Sequence, residues 1–152
     1  AVISQTAEYA LRAVVCLARS EPERRWTVRD IHERTDVPEG YLSKVMQLLA
    51  RAKIVRSQRG RTGGFVLDRA LDDLTVLDVI NAVDPLQRIR ECPLGLEEHR
   101  EELCALHRRV DRELERVERA FAESTFADLL AESGPHWPLG IEERDGGASS
   151  GA

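Results

Sequence analysis

No apolar run in this 152-residue chain approaches the roughly 18 residues that a membrane span requires. The opening stretch also lacks the uncharged core of an export signal, because AVISQTAEYALRAVVCLA sets Glu8 and Arg12 among its apolar residues. Both absences lead us to expect a cytoplasmic protein with no membrane partner. Cysteine is scarce: Cys16, Cys92 and Cys104 stand at uneven intervals. Three such residues make no disulfide framework in a chain without an export signal, so metal binding, redox sensing and plain burial compete for them. GxSxG, Walker and HExxH motifs are all missing, which argues against a hydrolase or transferase. Acidic residues are missing between Gly40 and Leu67, where Lys44, Arg51, Lys53, Arg56, Arg59 and Arg61 all occur.

That last gap belongs to a wider asymmetry. The net charge of −5 averages a first part, residues 1–69, with 13 Lys/Arg against 8 Asp/Glu, and a remainder with 9 against 19. The balances are +5 and −10. A basic first half suits a polyanion partner, although a solvated basic face has the same composition.

Apolar spacing predicts a helix from Thr6 to Arg19, with Tyr9, Leu11, Val14, Val15, Leu17 and Ala18 on its inner stripe and Cys16 buried among them as an inert thiol. Thr27 and Asp30 form a capping-box pattern for a short second helix reaching about Thr35. Asp36-Val37-Pro38 breaks it, and Pro38 suits the first turn of a third helix running to about Ala52. Tyr41, Leu42, Val45, Leu48 and Leu49 are expected to face inward there, with Glu39, Ser43, Lys44, Gln47 and Arg51 outward. Helix, tight turn and helix with a polar outer face is the helix-turn-helix plan. Ile54–Ser57 and Phe65–Leu67 are β-prone arms joined through Gly60, Gly63 and Gly64, a hairpin whose tip carries Arg59 and Arg61. A basic hairpin directly after a helix-turn-helix is a wing. The DNA-facing candidates are Gly40, Tyr41, Ser43, Lys44 and Gln47 in the groove, with Arg51, Arg56, Arg59 and Arg61 on the backbone or minor groove.

Thr75 and Asp78 open a further helix, Val76–Val83. From about Glu97 a long helix is expected to run to Ala122. Its apolar residues Leu103, Leu106, Val110, Leu114, Val117 and Phe121 step by 3, 4, 4, 3 and 4, a heptad stripe. A last short helix, Thr125–Ala131, precedes a Gly/Ala/Ser-rich end that reads as disordered. Within CPLGLEEHREELCALH, His107 lies three residues beyond Cys104, which on a helix sets both on one face. Two thiolates and an imidazole suit zinc, ferrous iron or an iron–sulfur cluster, while buried structural thiols remain the alternative.

EYALRAVVCLA, VPEGYLSKVMQLLARAKIVRS and RGRTGGFVL together resemble the bacterial Rrf-type winged-helix regulators, and LTVLDVINAVD and TFADLL are similar to that family's later elements. The resemblance covers roughly residues 3–132. It implies a mainly α fold with a small β-wing, divided into a winged helix-turn-helix domain (1–84), a metal- or cluster-binding segment (85–107), a dimerisation helix with a short final helix (97–132) and a tail (133–152). It also implies a homodimer that binds a near-palindromic operator in double-stranded DNA. Cluster-binding members carry three cysteines here with five residues between neighbours, and some add a histidine three residues after the last. Cys92, Cys104 and His107 match that pattern; the middle position is Glu98, with His99 beside it. The departure implies mixed ligation, which favours a 2Fe-2S cluster, with 4Fe-4S or a single metal ion as alternatives. A missing ligand must then come from Glu98, His99 or Glu8, the last matching a first-helix carboxylate that some relatives supply from the other subunit. His32 falls outside the expected ligand positions and reads as a surface histidine. The alternative for this chain is a cluster-free regulator with a thiol switch, structural zinc or control by a protein partner, the last as in some relatives that lack the cluster.

Overall fold

The computed structural model describes residues 2–61, 63–132 and 138–139. The first helix, α1 (Gln5–Ala18), begins where Ser4 Oγ accepts the Ala7 N–H at 3.1 Å. It lies at the centre of the core, burying Ala10, Ala13, Val14, Leu17 and Cys16. The second helix, α2 (Val28–Thr35), carries the expected Thr27/Asp30 capping box and stops at Asp36, whose backbone is left-handed (φ 59°). The third, α3 (Glu39–Arg51), buries Leu42, Val45, Met46 and Leu49, the i, i+3, i+4, i+7 set of one helical stripe. Tyr41 sits one position off that stripe. Expected to face inward, it is 48% exposed and stands edge-on to Tyr9 with ring centroids 5.4 Å apart. Met46 fills the inward position instead.

Strands β1 (Val55–Gln58) and β2 (Gly64–Leu67) pair antiparallel, with Val55 opposite Leu67 and Gln58 opposite Gly64. Trp26 adds a short bridge at the other edge of β2. Its N–H donates to the Phe65 carbonyl at 2.9 Å, and the Phe65 N–H donates back at 2.7 Å. Such close approach requires glycine next door: a Cβ on Gly64 (φ 149°) would lie 2.8 Å from the Trp26 carbonyl oxygen. The Arg24 guanidinium covers the Trp26 ring at 3.9 Å. Helix α4 (Val76–Val83) opens with a second capping box, Thr75 with Asp78.

The expected long helix is shorter than its apolar stripe suggests. Residues Glu97–His99 make one 3-10 turn, and α5 spans Ala105–Glu123 with Cys104 as its cap residue. Glu97, Glu98, Glu101 and Glu102 would repel across adjacent turns of a continuous helix, and Leu96 offers no side-chain cap. After α5 the chain turns back. Helix α6 (Phe126–Ala131) is capped by Thr125, and Phe126 enters the core with no exposed surface. The return is fastened by the Phe126 N–H to the Leu74 carbonyl (3.0 Å) and the Val76 N–H to the Ser124 carbonyl (2.9 Å). Of the tail expected at 133–152, only Pro138 and Leu139 are among the described residues. Leu139 packs on the core, and its carbonyl accepts from Arg34 Nη1 at 2.9 Å; Arg19 donates to the Pro138 carbonyl.

No residue of α5 is buried within the single chain, and Leu106 and Val110 are 65% and 41% exposed. The helix is nevertheless tied to the preceding segment. Arg88 grips Asp111 through two nitrogens at 2.7 and 2.8 Å, and the Ile89 N–H adds a third bond at 2.9 Å. The Asp111 carboxyl is pulled from its ordinary 3.8 to about 2, chiefly by the Arg88 hydrogen bond and further by the Ile89 amide. A folded value below the unfolded one means that the contact stabilises fully above the unfolded value and fades as pH falls from about 4 toward 2. Asp111→Asn is therefore expected to flatten the acid limb of a stability–pH curve recorded by urea unfolding; an unchanged limb would show that the clamp does not form in solution.

Candidate functional site

Two surfaces carry chemistry. The first is the outer face of α3 with the wing. Ser43, Lys44, Gln47 and Arg51 are exposed along that helix, and Gly40 faces open space in its first turn. With no side chain at Gly40, the amides at the helix start are open to a phosphate. Tyr41 belongs to the same face, held by its edge contact with Tyr9. On the wing, Gly60 (φ 111°) shapes the tip, and Arg59 and Arg61 stand exposed there. Arg56 is different: half-buried, it pairs with Asp68 at 3.4 Å and Glu23 at 3.6 Å. A phosphate contact from Arg56 must compete with two carboxylates. Among the described residues no carboxylate pairs with Arg59 or Arg61, so the wing tip is the more available cationic point.

The second surface runs from Cys92 to His107. Most of this segment is exposed, but Cys92, His99, Leu103, Cys104 and His107 are inset. A turn from Cys92 to Gly95 (φ 64°, N–H to the Cys92 carbonyl at 2.9 Å) starts it, and the His99 N–H donates to the Leu96 carbonyl at 3.0 Å. Cys92 Sγ lies 3.6 Å from His99 Nδ1, and Cys104 Sγ lies 3.5 Å from His107 Nδ1. The thiol of Cys92 is lowered from its ordinary 9.0 to about 7, first by the Leu96 backbone amide and then by the His99 ring. The expected Cys104–His107 proximity is thus present, at a helix cap rather than within a helix. Glu98 is exposed and has no part in either pair.

Glu8 lies elsewhere, in an open hollow of about 560 Å³ beside Tyr9, Arg12 and Asp36. It forms an ion pair with Arg12 at 2.9 Å, and Arg12 reaches on to the Thr35 carbonyl at 3.4 Å. His32, expected at the surface, is half-buried; its Nδ1 hydrogen-bonds the Val37 carbonyl at 2.8 Å, fixing the ring against the turn between α2 and α3. Among the described residues, no three His, Cys, Asp or Glu side chains converge closely enough for one metal ion. The structure brings Cys92 to His99 and Cys104 to His107; Glu8 is not part of either pair. The sequence offers Glu98, His99 and Glu8 as candidates for the missing ligand, and of these three His99 is the one that lies beside a cysteine sulfur. Among the described residues no helix is long and apolar enough to cross a membrane.

The model of the Rrf2 family, described as Iron-dependent Transcriptional regulator, matches residues 3–132. An HTH-type transcriptional regulator of Mycobacterium tuberculosis is 34% identical over 94 residues, covering 61% of this chain and 58% of that protein. The match therefore spans less than two thirds of that relative's length. An HTH-type regulator of Aquifex aeolicus is 28% identical over 132 residues, covering 85% of this chain and 91% of its own. Among solved structures, CymR, the global cysteine regulator of B. subtilis, superposes with a TM-score of 0.71 at 26% identity, covering 85% of this chain and 95% of that one. IscR of T. potens gives 0.66 at 26% identity, covering 86% and 87%. The fold is the winged helix of these regulators, which are not enzymes. The chain belongs to the Rrf2 family of transcriptional regulators.

Proposed function

We propose that this regulator works as a homodimer whose grip on a near-palindromic operator responds to redox, nitric oxide or iron status through an iron–sulfur cluster, 2Fe-2S in type, held by the Cys92–His107 segment. The observation that carries this reading is that the two thiols and two imidazoles of a mostly exposed segment are inset together with Leu103, and are paired sulfur to nitrogen. That donor set fits the group: thiolates and imidazoles together suit iron–sulfur ligation better than hard, oxygen-preferring ions. Cys92, Cys104 and His107 would hold it. When bound, such a cluster supplies an electron-accepting, gas- and oxidant-sensitive centre beside the start of α5.

The chain's own residues carry the rest. The exposed Leu106 and Val110 begin an apolar stripe that a second copy of α5 covers, which joins two reading heads. Arg88 and Asp111 transmit the position of the preceding segment to α5, and Phe126 fastens the far end of α5 to the core. A switch arises only if the two sensor states differ in operator affinity. In the reading heads, Lys44 and Gln47 face base edges while Arg51, Arg59 and Arg61 face phosphates or the minor groove.

Anaerobic purification tests the whole reading. The expected sample is coloured, contains about two irons and two sulfides per chain, and sediments at twice the chain mass of 17.1 kDa. A colourless protein that takes up no iron on reconstitution would end the cluster proposal and leave DNA binding intact. A second reading then stands, with Cys92 as a redox-reactive thiol; its lowered ionisation favours that role.

A further inference from the structure

We infer that His99 is the nitrogen partner of Cys92, so that one chain offers two thiolate–imidazole pairs, Cys92 with His99 and Cys104 with His107. This rests on the reading that the segment holds a cluster, and it names the donor that replaces the missing middle thiolate. The first support is distance. A thiolate at about 2.3 Å and an imidazole at about 2.0–2.1 Å on one tetrahedral ion sit about 3.5–3.6 Å apart. The two pairs measure 3.6 and 3.5 Å, and both use Nδ1. A simple thiol–imidazole hydrogen bond has a similar length. Its repetition at both cysteines, with all four side chains inset in an exposed segment, is what favours metal ligation.

The second support is the donor count: a two-iron cluster takes two protein donors on each iron, the number that two pairs supply. The rivals are less apt. Glu98 is exposed, and Glu97 beside it pairs with Arg100 at 2.9 Å. Glu8 stands on a different element and is neutralised by Arg12, an interaction that ligation would have to break. One nitrogen and one sulfur on each iron also predicts a higher reduction potential than an all-thiolate site.

The test uses the full chain, reconstituted without oxygen from ferrous iron and sulfide, in wild-type, His99→Ala, His99→Cys, Glu98→Ala and Glu8→Ala forms. Iron and sulfide content, visible absorption and reduction potential are measured, with the far-ultraviolet helical signal as the folding control. The expected result is loss of iron and colour in His99→Ala, retention in both glutamate variants, and restored loading in His99→Cys at a more negative potential. If His99→Ala misfolds, His99→Cys decides: an unchanged potential overturns the assignment, because a ligand exchanged for a thiolate must move it. Wild-type content, spectrum and potential in His99→Ala would also overturn it while leaving the cluster reading standing. A wild type that takes up neither iron nor sulfide removes both.

Discussion

Phe126→Ala is expected to lower folding stability by about 3–5 kcal/mol, the largest single effect we foresee. The side chain has no exposed surface and heads the largest fully buried residues of the core. Truncation loses its transfer energy and leaves a cavity whose walls are held by backbone hydrogen bonds, Phe126 to Leu74 and Ala127 to Leu71, both at 3.0 Å. Walls fixed in this way collapse poorly, which places the cost toward the upper part of the range. Urea unfolding followed by circular dichroism measures it. A loss under about 1 kcal/mol would mean that α6 is not docked in solution. The functional corollary is specific: the far end of α5 is released from the core, so operator affinity should fall even at temperatures where the variant remains folded.

The second large effect is on DNA. Lys44→Ala/Gln47→Ala/Arg59→Ala is expected to weaken specific binding by at least about 3 kcal/mol, a hundredfold or more, since each contact of this kind is worth roughly 1–3 kcal/mol. Lys44 and Gln47 lie one turn apart on the exposed face of α3, and Arg59 stands on the wing. All three are exposed, so the unfolding transition should stay within about 0.5 kcal/mol of wild type. Fluorescence anisotropy on a cognate operator at several salt concentrations reads both terms. If Arg59 contacts a phosphate, the salt slope falls by about one. Unchanged affinity in the triple variant would remove the winged-helix assignment of these residues.

The helix-turn-helix was legible because its signals are local: a capping box at Thr27, the Asp36–Pro38 break and a 3.6-residue stripe in α3. The hairpin was legible from its glycines, but the Trp26 bridge that completes it was not, since a single backbone exchange across 39 positions leaves no periodic trace. Tyr41 misled because an aromatic residue at nearly the right phase reads as core, whereas it leans on Tyr9 at the surface. The start of α5 was set too early because the apolar stripe continues back to Leu103, while the clustered acids that prevent helix formation weigh only when summed. In the Cys92–His107 segment, the closeness of Cys104 and His107 was legible from spacing. The Cys92–His99 pair depends on a turn at Gly95 and one 3-10 turn, which residue spacing alone does not encode. Resemblance drew attention to Glu8; its ion pair with Arg12 is visible only in three dimensions.

Held by Arg88 at Asp111, Glu115 and Glu118 along its middle and through Phe126 just past its finish, α5 acts as a lever. Its 19 residues span about 28 Å at 1.5 Å per residue. Tilting such a rod by about 5° sweeps one end through roughly 2.5 Å. In the dimer proposed above, reading heads set about 34 Å apart on DNA would register an error of that size as a misfit of nearly one base-pair step. If the proposed sensor moves the start of α5, the reading head moves in proportion to the ratio of the arms on either side of the Arg88 clamp.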